Sequence, residues 1–282
     1  MMATRIAVAG PLDLEATLRS GQAFRWRRDG DGYTGVVAGN AVRLRRTKTG
    51  VEFTSFPEPE TQFAPRLADY LGLADDLEAA YRSLEADPYV KAAITRHRGM
   101  RILRQEPWEC LVSFICSAWS NVQRVSNTVE ALASRFGRPI LVNGSAFPTP
   151  EEMAEVDEKA LRALGLGFRA KYIPATARLV AEGRVNLMAL REAPYEEALD
   201  TVMSLPGVGD KVANCIMLFS LDQRSAFPVD LWIRRALCGL YLGDAGQTMS
   251  VPRLRLWAQE RFGPYAGYAN HYLFHDRRLA GR

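Results

Sequence analysis

Between about Leu12 and Phe56, the segments QAFRWR, YTGVVAG, AVRLRRT and VEFTSF alternate apolar and polar residues, the two-residue period of strands with one buried face. Asp29-Gly30-Asp31-Gly32, Gly39-Asn40 and Thr49-Gly50 punctuate them with turn formers, so short antiparallel strands joined by hairpins are expected. After Pro65 the period lengthens. Ala68, Leu71, Leu73, Leu77 and Tyr81 give one broken helical stripe, and Tyr89, Ala93, Ile94 and His97 another. Pro107 suits a first helical turn. Trp108, Leu111, Val112, Ile115 and Cys116 then form the apolar stripe of a helix expected at the centre of the molecule. Further helices are expected over about 122–136, 150–164, 170–182, 194–204, 210–220, 231–240 and 252–261. The texture changes near residue 105. The fold class is therefore α+β, with an N-terminal antiparallel sheet and short helices over 1–105 and a mostly helical body over 106–282.

Composition narrows this picture. The chain has 282 residues, 48% of them hydrophobic and 24% charged, which suffices for a buried core and excludes disorder throughout. No apolar run approaches the roughly 18–20 residues of a membrane helix. The N-terminus MMATRIAVAGPLD lacks a charged flank followed by a long apolar stretch. An untargeted intracellular protein is expected, in the cytoplasm or on the nucleoid if bacterial. The net charge is only +4, and of 36 basic residues just Lys48, Lys91, Lys159, Lys171 and Lys211 are lysine. An arginine-heavy balance suits phosphate and base contact, and equally fits a GC-rich genome. Cys110, Cys116, Cys215 and Cys238 are too few and scattered for a disulfide framework, and no spacing matches a zinc site. No cysteine follows Cys238, which excludes an iron–sulfur cluster ligated there. His271 and His275 stand four residues apart without a third ligand nearby.

The sharpest local signal is Leu205-Pro206-Gly207-Val208-Gly209-Asp210-Lys211, between two expected helices. Proline and two glycines compress the connection into a hairpin, Gly207 and Gly209 being free to take positive φ and to let another backbone approach. The first amides of the following helix point outward and, with the helix dipole, make an anion site that fits a DNA phosphate. A plain helical hairpin is the alternative. Lys211 falls in the first turn of that helix, where the dipole opposes an ammonium. That field together with partial burial would lower its pKa, as an amine nucleophile requires. An exposed, phosphate-contacting lysine is the plainer alternative. Nineteen residues on, Asp230 precedes an amphipathic run as an N-cap. If the apolar stretch 215–221 folds back, it brings this carboxylate beside Lys211, where it can accept a proton or stabilise a developing cation. An amine, a carboxylate and a phosphate-binding hairpin suggest cleavage through a cationic transition state such as that of an N-glycosidic bond.

The stretch LPGVGDKVANCIMLFSLDQRSAFPVD resembles the helix-hairpin-helix and Gly/Pro-rich Asp loop of base-excision DNA glycosylases, specifically the 8-oxoguanine DNA glycosylases. SGQAFRW at 20–26, RILRQEPWECLVSFICS at 101–117, LGLGFRAKYI at 164–173 and FGPYAGYANHYLF at 262–274 fit in order, so the resemblance spans about 12–276. It implies a bifunctional glycosylase and abasic-site lyase without a cofactor. Its expected partner is duplex DNA carrying 8-oxoguanine opposite cytosine, bound by a monomer. Lys211 would attack C1′, Asp230 would support the oxocarbenium-like state, and a Schiff base would lead to β-elimination. The flipped base would lie between Phe274 and Cys215, with the Gly21 carbonyl meeting N7–H, a donor that guanine lacks. Asn270 stands where many relatives carry a longer amide that reads the Watson–Crick edge. Arg124 and Arg169 match the arginines that read the opposite cytosine, while Gly207 and Gly209 hold the backbone. The family asparagine wedge falls instead at Trp119 within Ser117-Ala118-Trp119-Ser120-Asn121. Trp119 is expected to stack into the gap left by the flipped base; otherwise it packs into the core and Asn121 alone contacts DNA. Trp232 replaces a polar phosphate contact of the relatives. Two other readings stay open: a monofunctional alkylpurine glycosylase using Asp230 alone, and a non-catalytic DNA-binding module.

Overall fold

The computed structural model describes residues 4–140 and 144–281. Five antiparallel strands, β1 Thr4–Ala7, β2 Arg27–Asp29, β3 Gly32–Val37, β4 Asn40–Arg46 and β5 Gly50–Phe56, form a sheet in the order β1-β5-β4-β3-β2. The predicted turns hold. Ala38 and Gly39 both take positive φ (48° and 75°) between the paired residues Val37 and Asn40, the backbone twist that a two-residue hairpin needs. One sheet face presents Tyr33, Val42, Leu44, Val51 and Phe53 to a core shared with α1 (Leu14–Arg19) and α2 (Glu60–Tyr70). The other face carries ion pairs such as Arg5–Glu52 and Arg43–Asp29.

The helical body comprises α3 Leu77–Leu84, α4 Pro88–Arg96, α5 Pro107–Cys116, α6 Val122–Phe136, α7 Pro150–Ala154, α8 Glu158–Ala163, α9 Tyr172–Ala181, α10 Tyr195–Met203, α11 Asp210–Ser220, α12 Leu231–Leu237, α13 Gly243–Thr248, α14 Val251–Phe262 and α15 Ala266–Ala280. Buried residues of α3 and α4 join the large core of this body, whereas Leu103 joins the core under the sheet. Both cores therefore draw on residues before 105. α5 is buried along nearly its whole length, as its stripe predicts, and α11 packs against it.

Several expectations are corrected. QAFRWR is not a strand until Arg27; residues 22–26 are irregular because Gln22 is committed to the Thr17 and Arg101 carbonyls and the Leu103 amide. α2 starts before Pro65 and contains it. The expected helix 150–164 is two, since Asp157 caps a fresh start after α7 ends at Ala154. The one over 231–240 stops at Leu237 and passes through a π-turn, Cys238–Leu242, into α13. β1, α1 and α15 were not foreseen. α15 is buried on most sides from Ala266 to Leu273, so no polar stripe marks its period.

Candidate active site

The hairpin joins α10 to α11. Of its two glycines, both free to take positive φ, only Gly207 does so. Gly207 has φ +83°, and a Cβ there would lie 2.7 Å from the Tyr172 ring, so the turn and the packing both exclude a side chain. Gly209 is the extended N-cap of α11 (φ −107°, ψ −179°), and a Cβ on it would meet nothing within 4 Å. No side chain caps α11, which leaves its first amides open to an external acceptor.

Lys211 is the second residue of α11, in the first turn as predicted. Its ammonium donates to Ser117 Oγ at 2.9 Å and lies 5.2 Å from the centre of the Phe114 ring. Ser117 caps the C-terminus of α5 and donates in turn to the Phe114 carbonyl (2.7 Å), so its lone pairs are left for the lysine. Asp230 is the N-cap of α12 and accepts the Ile233 amide at 2.8 Å. Burial pushes its carboxyl above the usual range, opposed by the Ile233 amide and by the nearby Lys211 charge. Cys215 lies one turn after Lys211. Burial raises its thiol to about 11, with Lys211 pulling it down and Asp230 pushing it up, so the thiol is neutral and both charges reach it.

Buried Asn214 ties these elements together. Its amide donates to the Asp210 carbonyl (2.8 Å) and accepts from the Tyr195 hydroxyl (2.7 Å) and the Phe227 amide (3.3 Å), linking the start of α11 to the loop that delivers Asp230. Asp210 is also paired with buried Arg255 at 3.1 Å. The expected fold-back of 215–221 is corrected: residues 215–220 continue α11, and the return is made by the loop after Leu221, which Asn214 fixes through the Phe227 amide.

Gly21 takes φ +98°, and a Cβ on it would lie 3.0 Å from Arg278 Nη1, 3.3 Å from Val122 and 3.6 Å from the Phe274 ring. Gly21 and Phe274 are therefore brought together from opposite ends of the chain. Asn270, on the same helix as Phe274, is buried and donates to the Pro228 carbonyl at 2.8 Å. Its amide nitrogen holds the Asp230 loop, leaving Oδ1 to face other partners.

Between α5 and α6, Trp119 is 93% exposed with φ +53°, which overturns packing into the core. Asn121 caps α6 by accepting the Arg124 amide (2.9 Å), and Arg124 itself is exposed. Arg169 is buried. It donates to the carbonyls of Ala118 (2.7 Å), Leu166 (3.1 Å) and Trp119 (3.4 Å), so it braces the loop that displays Trp119. Its neighbour Phe168 is half exposed, 5.1 Å from the Arg169 guanidinium. Trp232 is partly exposed and packs on Gly281. Sequence reasoning did not single out Ser117, Asn214, Phe168 or Arg278. Ser117, Phe168 and Asn214 lie inside the segments that carry the family resemblance, though the role of Asn214, like that of Arg278, comes from contacts across the fold. Among the described residues no cluster of three His, Cys, Asp or Glu side chains could hold a metal, and no helix is long and apolar enough to cross a membrane.

The sequence matches the HhH-GPD superfamily of base-excision DNA repair proteins, whose family model covers residues 112–259, and the N-terminal domain of 8-oxoguanine DNA glycosylase over 5–111. The N-glycosylase/DNA lyase OGG1 of Arabidopsis thaliana is 34% identical over 93% of this chain and 76% of its own. The N-glycosylase/DNA lyase of Saccharomyces cerevisiae is 32% identical over 93% and 82%. Among solved structures, the Clostridium acetobutylicum 8-oxoguanine glycosylase/lyase, in complex with double-stranded DNA containing cytosine opposite 8-oxoG, superposes with a TM-score of 0.91. It is 30% identical, with 100% of this chain and 99% of that one covered. The chain belongs to the N-glycosylase/DNA lyase family of this superfamily. The non-catalytic and monofunctional readings left open by the sequence are set aside.

Proposed function

We propose that the protein binds duplex DNA as a monomer, flips 8-oxoguanine out opposite cytosine, excises it and nicks the strand with Lys211. The observation that carries this reading is the lysine itself, in the first turn of α11, held by Ser117 and within reach of the Asp230 field. The unprotonated amine attacks C1′; the C1′–N9 bond breaks and its electron pair leaves with the base, which takes up a proton. The Asp230 carboxylate stabilises the positive charge that develops on the sugar. Ring opening gives a Schiff base at C1′. Loss of a C2′ proton then expels the 3′ phosphate, and water releases the lysine. The Gly21 carbonyl accepts N7–H of the lesion and repels the N7 lone pair of guanine, so one buried group supplies discrimination. Phe274 and Cys215 flank the base, and Asn270, with one amide N–H given to Pro228, offers its oxygen and its second N–H to the Watson–Crick edge.

On the DNA side, the open amides after Gly209 and the Gly207 turn take backbone phosphate. Trp119 enters the vacated stack, with Asn121 and exposed Arg124 beside it. Arg169 gives three of its five N–H donors to loop carbonyls and so holds that loop, and with the remaining two it joins Arg124 in meeting the opposite cytosine. The test is borohydride trapping on an 8-oxoguanine:cytosine duplex. Wild type should give a covalent adduct and Lys211→Gln none, while the variant still binds DNA. An adduct that persists in Lys211→Gln would refute the assignment.

A further inference from the structure

Arg278 is a buried arginine that the catalytic reading leaves unused, and it touches both walls of the base pocket. It lies one turn beyond Phe274 on α15, so the two side chains share a face, and its guanidinium sits 5.7 Å from the Phe274 ring centre. Its Nη2 donates to the Arg19 carbonyl at 2.7 Å. Arg19 is the last residue of α1, and a cation there satisfies an otherwise orphaned carbonyl at the negative end of the helix. Its Nη1 occupies the space where a side chain on Gly21 would begin, 3.0 Å from that Cβ position. Gly21 therefore has φ +98° and no side chain in a place that the guanidinium fills.

These contacts bear on a problem the fold poses. Gly21 comes from the segment after α1, and Phe274 from the C-terminal helix, some 250 residues away in sequence and with no backbone hydrogen bond between them among those described. A carbonyl that discriminates by one hydrogen bond must be held to a few tenths of an ångström relative to the ring on which the base stacks. We infer that Arg278 is the positioning residue that fixes the Gly21 carbonyl against the Phe274 ring, and so sets recognition of the damaged base rather than the chemistry at C1′. The inference rests on the proposed function, in which Gly21 and Phe274 contact the flipped base. Arginine suits the task, because its planar fork donates to the Arg19 carbonyl through Nη2 and sets Nη1 in the space beside Gly21 while lying over the Phe274 ring. Lysine would keep the charge and only one of those contacts.

The two activities of the enzyme separate recognition from chemistry. A preformed abasic site has no base to place, so its cleavage needs Lys211 but not the pocket. Single-turnover excision of 8-oxoguanine and strand cleavage at a preformed abasic site are measured for wild type, Arg278→Met and Arg278→Lys. Arg278→Met should slow excision at least tenfold and leave abasic-site cleavage within twofold of wild type, with Arg278→Lys recovering part of the loss. Unchanged excision in both variants overturns the inference. Parallel loss of both activities in both variants, accompanied by a lowered Tm, also overturns it, because Arg278 then serves only the fold. If wild type cleaves abasic sites but excises no 8-oxoguanine, the proposed substrate fails first and takes the inference with it.

Discussion

Asp230 carries its charge against the preference of its surroundings. Burial holds its carboxyl above the ordinary range, so the carboxylate is lost at a higher pH on acidification than an exposed aspartate would be. The acid limb of the excision rate should therefore lie above the ordinary aspartate value. Asp230→Asn should abolish that limb and slow turnover about a hundredfold or more, with DNA binding retained; single-turnover rates against pH check both. Linkage gives a companion prediction. For an acid whose folded pKa is raised, the associated stability is present below the unfolded pKa and lost as pH rises through the folded value. At neutral pH the charged form is then a cost. Asparagine caps a helix as well as aspartate does, so Asp230→Asn should melt at a higher temperature than wild type at pH 7 and at nearly the same temperature near pH 3. Lys211 and Asp230 were legible in the sequence because their signals are local: a lysine placed against a helix dipole, and a cap before an amphipathic run. The part played by Ser117 was not, since its hydrogen bond to Lys211 spans 94 residues and no local signal pairs the two.

At the scale of elements, the hairpin holds two glycines with different reasons for being glycine. Gly207→Ala meets a positive φ and the Tyr172 ring together, so it should lower stability by about 1–3 kcal/mol. Gly209→Ala meets neither. Its stability should change by no more than about 1 kcal/mol, the usual helix-boundary cost, while on the proposed phosphate site DNA affinity should fall severalfold, because the added methyl would crowd the phosphate. Thermal melts and duplex titrations on the two variants separate the roles; equal DNA affinity in Gly209→Ala and wild type would remove the phosphate site from this loop. The sequence marked both glycines as turn residues without telling them apart, for the difference depends on Tyr172 of α9. Legibility of the helices followed the same logic. α6 and α11 appear at the predicted bounds because their starts are encoded nearby, by the Asn121 cap and by the Pro206-Gly207-Val208-Gly209 turn, whereas no side chain caps α15 and its first eight residues are buried.

In the whole molecule, sheet and helical body are joined through the strip 100–103, where Met100 and Ile102 enter one core and Leu103 the other. Arg101 between them is 1% exposed and donates to the carbonyls of Pro11, Gly72 and Asp75. Arg101→Met leaves those oxygens unpaired in a buried place, at about 1–3 kcal/mol for each that water cannot reach. The Tm should drop by several degrees, at roughly 2–4 °C per kcal/mol for a chain of this size, in scanning calorimetry. The sequence could assign these residues to a sheet or a body but not show which side chain joins them, because a buried arginine reads like any surface one. Trp119 has a further consequence for following the protein at work. Of five tryptophans, Trp108 is buried and Trp119 is 93% exposed, the most open of the large apolar side chains described. Its indole emission should report on water before DNA arrives and be quenched by stacked bases afterwards, so the chain carries its own optical clock for the moment a base leaves the helix.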